Sequence, residues 1–486
     1  MLENKNTPPE RLHSATFWLL LVLAFALISR LFIILLYQPV AFSDTPSYRR
    51  LAEAVLSGFV KYDGTRTPGY PVFLAFVGSD RNVWIAQLLL GIATTLLLFY
   101  IGWKLTDKPW FGGVIGLVHT LNLGQLFFES SLLTESLTTF LLVLTMAGML
   151  VWLLYPLKRS LWLVFFIGLI SAFTLLVRPL FIYLPFLLII FLWIGIKKGY
   201  STTLVVDEVD DNLNHDLGIT NHHPIFTIFV FILPVVLFLG GWISFIYKNY
   251  GDFSLTTMTG FHLIQHTGNF FEYVPDEYAS LRDTYLQYRD AHIVEYGTQT
   301  NTIWDAIPEM SRVSGYNFYD LSRVLAQISM ELIVRHPFLF LKNAFIGWWM
   351  FWRTSFYWSI DALRFSWLAS GVNLAVQIQR IILFAINLFF IFSTLFYALS
   401  ECLAAIRHKP GLVYTAKKAY SWLLLSTIWV ASVLQTLLDH GDNPRFLVPL
   451  QSLVVLWVAL FCYQLFITKY SSKLIPPSKI SSGSID

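Results

Sequence analysis

Charge is what this chain has least of. Only 13% of its 486 residues are Asp, Glu, Lys or Arg, against roughly 25% in an average soluble domain. Cysteine is nearly absent as well. The two present, Cys402 and Cys462, allow neither a disulfide framework nor a CxxC metal pair. So little charge excludes a disordered chain, and a formal net charge of +3 is too small to imply a nucleic-acid partner. Apolar surface is what remains, with 56% hydrophobic and 17% aromatic residues. A soluble globule of this length has too little interior to hide it. The expected fold class is therefore all-α, a polytopic helical bundle whose first partner is the lipid bilayer.

A crossing helix needs about 20 apolar residues. Ten runs qualify: 17–37, 83–103, 110–128, 132–155, 161–177, 179–196, 225–247, 374–400, 420–438 and 447–468. The first is too long for a signal-peptide core and lacks a small-residue cleavage site, so it reads as a retained span. Arg178-Pro179 divides one long stretch into two short halves, because proline ends or kinks a helix. Lys and Arg fall in alternate loops: Lys5 and Arg11, Lys104 and Lys108, Lys158 and Arg159, Lys197 and Lys198, Arg407 to Lys418, then Lys469 and Lys473. The positive-inside rule makes these loops and both termini cytoplasmic in a multi-pass protein, expected in a bacterial plasma membrane.

The segment 337–360 is apolar, but Lys342, Arg353 and several Trp interrupt it. Trp favours the headgroup region, so an interfacial or re-entrant helix on the outer face is expected; a full crossing here would invert everything downstream. Three regions follow: 1–248, a membrane core with an outer loop at 38–82; 249–372, an outer cap with the interfacial helix; and 373–486, the last membrane helices and a short tail. Short helices are expected at Ser43–Gly58, Pro68–Val77, 277–297 and 317–335. The inner loop 199–224, rich in Asp and His, reads as a solvated linker rather than a metal site.

Ionisable groups at a membrane face are costly and therefore informative. Five places on the outer side carry them. In Asp44-Thr-Pro46, Pro46 suits the first helical turn and Thr45 the N-cap, which leaves the Asp44 carboxylate free to act as a base or hold a cation. In Arg66-Thr-Pro68-Gly69-Tyr70-Pro71, two prolines around a glycine fix a turn beside a guanidinium suited to phosphate. Glu135 opens a helix, where the dipole favours an acid. Arg178 ends a span. Asp439-His440-Gly-Asp442-Asn-Pro-Arg445-Phe446 packs acids, a histidine and an arginine into one short turn. Arginines at bilayer height suit a lipid phosphate, and a nearby carboxylate suits activation of a hydroxyl.

In order along the chain, the motifs are an acid after the first span, Arg-x-Pro-Gly-Tyr-Pro, Thr134-Glu135, Arg178-Pro179 and Gly-Asp-x-x-Arg-Phe before the last span. That order resembles the GT-C membrane glycosyltransferases, in particular the family 39-like branch of protein mannosyltransferases and the aminoarabinose transferase. The resemblance implies a GT-C fold, a polyprenyl-phosphate-linked sugar as donor and a hydroxyl acceptor on a glycan, lipid or protein. It implies Asp44 as catalytic base or cation ligand. Arg66, Tyr70, Glu135, Arg178, His440 and Arg445 become donor-phosphate or substrate contacts. No cofactor is fixed by it; a divalent cation, Mg or Mn, would have Asp44 and Glu135 as ligands. The chain departs from the pattern in lacking a second acid beside Asp44 and a large C-terminal domain. Three alternatives stay open: a polymerase or ligase of lipid-linked glycans, which would rest on Arg and His; a lipid or solute transporter; and a non-catalytic membrane scaffold that keeps the fold. A transporter would place ionisable groups near mid-membrane in related halves.

Overall fold

A computed structural model describes residues 8–155, 159–197, 223–406, 415–440 and 443–474. Among the described residues the regular structure is helical, with two isolated β-bridges. The N-terminal part holds α1 (Pro8–Leu36), α2 (Thr45–Leu56), α3 (Gly69–Val77), α4 (Asp80–Thr106), α5 (Pro109–Thr120), α6 (Leu123–Glu129), α7 (Glu135–Leu154), α8 (Leu161–Val177), α9 (Tyr183–Lys197) and α10 (Pro224–Tyr250). The cap holds α11 (Thr259–Thr267), α12 (Ala279–Tyr296), α13 (Thr302–Ser314) and α14 (Phe318–Arg335). Then follow α15 (Pro337–Phe351), α16 (Ala369–Ile406), α17 (Ala416–Leu438), the single turn α18 (Asn443–Phe446) and α19 (Val448–Leu474).

Local chemistry sets many of the boundaries. Ser79 caps α4 by accepting from the Asn82 amide, and Asp80 adds an acid to its first turn. Proline opens α5, α10 and α15, where the missing amide costs nothing. Gly251 ends α10 with φ at +77°, a conformation glycine adopts freely. One expectation fails here. Thr45 is not the N-cap of α2 but its first helical residue; its hydroxyl donates to the Leu132 carbonyl at 3.1 Å. The cap position falls to Asp44, whose carboxylate makes no capping bond.

This is a multi-pass helical membrane protein. Among the described residues, eight helices are long and apolar enough to cross a bilayer: α1, α4, α7, α9, α10, α16, α17 and α19. The bent pair α5–α6, turning 60° at its break, supplies a further crossing. The 17-residue α8 spans about 26 Å at 1.5 Å per residue. It pairs with α7 as a hairpin whose open ends meet, Arg178 lying 3.2 Å from Glu135. Eight, or up to ten with each bent pair taken as one crossing, stand against the ten runs expected from the sequence, α8 being a shorter apolar helix that corresponds in position to the run 161–177.

The segment 337–360 enters and leaves the bundle at the same end. Helix α15 descends until the Trp352 ring packs on Phe390 and Trp429, deep in α16 and α17. The chain then returns to Tyr37 at the end of α1, where the Ser359 amide donates to the Tyr37 hydroxyl at 2.8 Å. The turn between α14 and α15 is 106°, too sharp for one straight crossing. The connections therefore alternate. Loops 37–79, 129–134, 178–182 and 251–336, with residues 439–440 and 443–447, share one end. At the other end Lys417, opening α17, bonds Asp107 between α4 and α5 at 2.6 Å.

The main core joins α4, α5, α7–α9 and α15–α19. The cap has its own, around Phe261, Phe271, Tyr285, Met310 and Leu325. Large apolar side chains such as Phe32, Phe229 and Ile381 point outward, as lipid contact requires. The linker 199–222 lies outside the described residues.

Candidate functional site

The five charged side chains singled out from separate loops meet in one centre. Arg66 and Arg445 each donate to Asp44, to Oδ1 and Oδ2 respectively, both at 2.7 Å. Arg445 Nε also bonds Glu135, and its Nη2 lies 3.5 Å from Glu135 Oε2. Arg178 Nη1 donates to Glu135 Oε1 at 3.2 Å. The chain of contacts runs Arg66–Asp44–Arg445–Glu135–Arg178. Three guanidinium groups against two carboxylates leave the centre with one positive charge in excess.

Backbone pairing brings the two acids together. Val40 donates to the Ser130 carbonyl at 2.8 Å and accepts from the Leu132 amide at 3.1 Å. The segment before Asp44 is thus zipped to the one before Glu135. Arg66 is held from its own turn. Asp63 accepts from the Thr65 amide at 2.9 Å and hydroxyl at 2.6 Å, and Tyr62 donates to the Arg66 carbonyl at 3.1 Å. Gly69 lets this turn approach the end of α8, since a Cβ there would lie 2.4 Å from the Val177 amide nitrogen, beside Arg178.

Aromatic rings surround the guanidinium groups. Tyr48 lies 5.7 Å from Arg66, Tyr357 5.5 Å from Arg445 and Phe446 4.3 Å from Arg178. These contacts strengthen in a poorly hydrated place. The centre is graded in depth: Glu135 is fully buried, while Asp44 and Arg66 keep about a quarter of their side-chain surface exposed. The open side is therefore the Asp44–Arg66 side. Burial alone would raise the Asp44 carboxyl pKa, but Arg66 and then Arg445 outweigh it and hold the group below its ordinary value. Burial disfavours the charge on Arg445, yet Glu135 and Asp44 reverse that and raise it. One donor is left over: Arg66 Nε is buried and bonded to nothing among the described residues.

A divalent cation does not fit this centre. Both Asp44 oxygens and both Glu135 oxygens already face guanidinium groups, so a metal would sit among three positive charges. Among the described residues no group of three or more His, Cys, Asp or Glu could hold a metal ion.

Two sequence candidates lie elsewhere. Tyr70 is fully buried behind the centre, donating to Gln87 Oε1 at 3.0 Å and packing edge-on against Tyr48. It supports Tyr48. His440 stacks on His266 of the cap instead of joining the arginines. Asp442 lies outside the described residues. Sequence reasoning missed Tyr48 and Tyr357, for which no local signal exists; Phe446 stood in the Gly-Asp-x-x-Arg-Phe motif but without a role. It also missed the buried pair Arg30–Glu129, bidentate at 2.9 and 2.6 Å. That pair had a signal: Arg30 interrupts the first apolar run, and a charge there demands a partner.

No family model and no curated protein matches this chain.

Proposed function

We propose that the chain is a GT-C type membrane glycosyltransferase that moves a sugar from a polyprenyl-phosphate donor to a hydroxyl acceptor. The observation that carries this reading is the convergence of Arg66, Arg178 and Arg445 on two acids at one end of the bundle, with a spare buried donor on Arg66. Positive charge at bilayer height, partly open to the outside, suits a phosphate whose lipid tail stays in the membrane. A transporter would instead place its ionisable groups near mid-membrane. The positive-inside pattern puts this end outside the cell and both termini in the cytoplasm of a bacterial host.

Roles for the residues follow from that reading. The donor phosphate competes with Asp44 for Arg66 and Arg445. As those guanidinium groups turn to the phosphate, the Asp44 carboxylate loses its partners and regains basicity beside the anomeric carbon. The acceptor oxygen bonds to that carbon as the bond to the phosphate oxygen breaks, through an oxocarbenium-like state. The acceptor proton passes to Asp44, and the electron pair leaves with the phosphate, whose growing charge the arginines stabilise. One displacement inverts the anomeric centre. Glu135 contacts no substrate; it holds Arg178 and Arg445 in place. The cap limits water, which would otherwise hydrolyse the donor.

Purified protein given a panel of polyprenyl-phosphate sugars with a mixed hydroxyl-acceptor extract should release polyprenyl phosphate from one of them. Asp44→Asn should slow that release by about 10²–10⁴-fold. Full turnover in the Asn variant would favour the polymerase or ligase alternative, and no release from any donor would reject the transferase reading.

A further inference from the structure

Away from the arginine centre, a cavity of about 290 Å³ opens where the cap meets the membrane helices. Asn269 and Gln299 come from the cap, Asn343 from α15 and His440 from the turn that also carries Arg445. Thr298 and Thr300 complete the polar lining, and no Asp, Glu, Lys or Arg lines it among the described residues. Its size is near the lower end of small-molecule sites, room for one ring with a few waters rather than a chain.

Polar atoms at this lining and next to it are incompletely used, His440 lining the cavity and His266 stacked on it outside the lining. The His440 ring lies flat on His266, with centroids 5.3 Å apart and planes 13° from parallel. Both His266 nitrogens and His440 Nδ1 are buried without a partner among the described residues. Burial lowers both histidines, His266 to about 4 with His440 adding to the effect, while Asp439 opposes it on both; the shift favours the neutral form of each ring. Asn343 donates to the His266 carbonyl at 3.1 Å, which leaves its amide oxygen as a vacant acceptor. Unsatisfied buried polar atoms cost about 1–3 kcal/mol each and call for an explanation.

We propose that this cavity is a binding subsite for one uncharged sugar ring, held by Asn269, Asn343 and His440. Amides and a neutral imidazole donate and accept together, which matches hydroxyl groups, and the lack of cationic side chains disfavours phosphate. The identification of that sugar as part of the acceptor rests on the transferase reading; the binding itself does not.

The test is saturation-transfer NMR and calorimetry on the full-length protein in lipid nanodiscs, titrated with free glucose, galactose, mannose, N-acetylglucosamine and arabinose. At least one should bind with a Kd in the millimolar range. His440→Phe keeps the ring stack and removes the nitrogens; Asn269→Ala changes an exposed cap residue that the fold does not need. Each should weaken binding about tenfold or more at an unchanged unfolding temperature. No binding by any of the five sugars, or equal binding in both variants, overturns the proposal, as does displacement of the sugar by inorganic phosphate. Sugar binding without release of polyprenyl phosphate upholds the subsite and rejects the transferase. Release without sugar binding rejects the subsite alone.

Discussion

Arg445 touches both acids of the charged centre, so its loss leaves each with one partner fewer. Breaking one partner of a buried pair costs about 3–5 kcal/mol when the pair is fully buried. Here Asp44 keeps some exposure, so the lower part of that range applies. Arg445→Gln should lower the unfolding temperature in detergent and reduce donor turnover by about 10²–10³-fold, the usual effect of removing one charge-stabilising donor. Near-normal turnover at reduced stability would make Arg445 a structural residue only. Asp44 gives a pH signature. Its pKa is held below the ordinary 3.8 by Arg66 and Arg445 against the opposing effect of burial. A depressed acid stabilises the fold above its unfolded pKa and loses that contribution as pH falls through the folded value. Unfolding temperature measured from pH 6 down to 3 should therefore fall below about pH 4 in the native protein, and fall less in Asp44→Asn.

At the scale of elements, the helices were legible because lipid imposes long apolar runs, and each run became helical, the run 110–128 as the bent pair α5–α6. The proline break at Pro179 was legible too. The start of α2 was not. Thr45 has the right chemistry for a cap, but its hydroxyl is spent on Leu132, 87 residues away, and no local pattern reports such a contact. The Arg30–Glu129 pair ties α1 to the end of α6, just before the bridged segment 130–132 that leads to Glu135 at the start of α7. Its fit is tight: a Cβ on Gly91 would lie 2.0 Å from the Glu129 carboxylate. Arg30→Met should leave a buried carboxylate alone and destabilise by about 3–5 kcal/mol. Adding Glu129→Gln should recover much of the loss, as thermal unfolding of the single and double variants would reveal. Additive losses would show that the two side chains are not coupled.

For the whole molecule, the alternation of Lys and Arg foretold which loops lie together, and the contacts agree: Lys417 meets Asp107 at one end, Arg445 meets Asp44 at the other. What the sequence could not supply was distance. Residues 44, 66, 135, 178 and 445 shared only a face, and nothing in their local patterns told that they touch while Tyr70 and His440 turn aside. The sidedness is open to direct measurement. With Cys402 and Cys462 changed to Ser, a cysteine at exposed Asp283 of the cap should react with an impermeant maleimide on intact cells, and one at exposed Asp107 only after permeabilisation. Labelling of both from outside would break the ten-crossing arrangement.

The central claim is that three arginines form a lipid-phosphate site. It is tested most directly by titrating the purified protein with a short polyprenyl phosphate and with the matching polyprenol, in the native form and in the double variant Arg66→Gln/Arg445→Gln. The expected result is that the native protein binds the phosphate at least about tenfold more tightly than the alcohol, and that the double variant binds the two alike. Equal affinity for phosphate and alcohol in the native protein would contradict it.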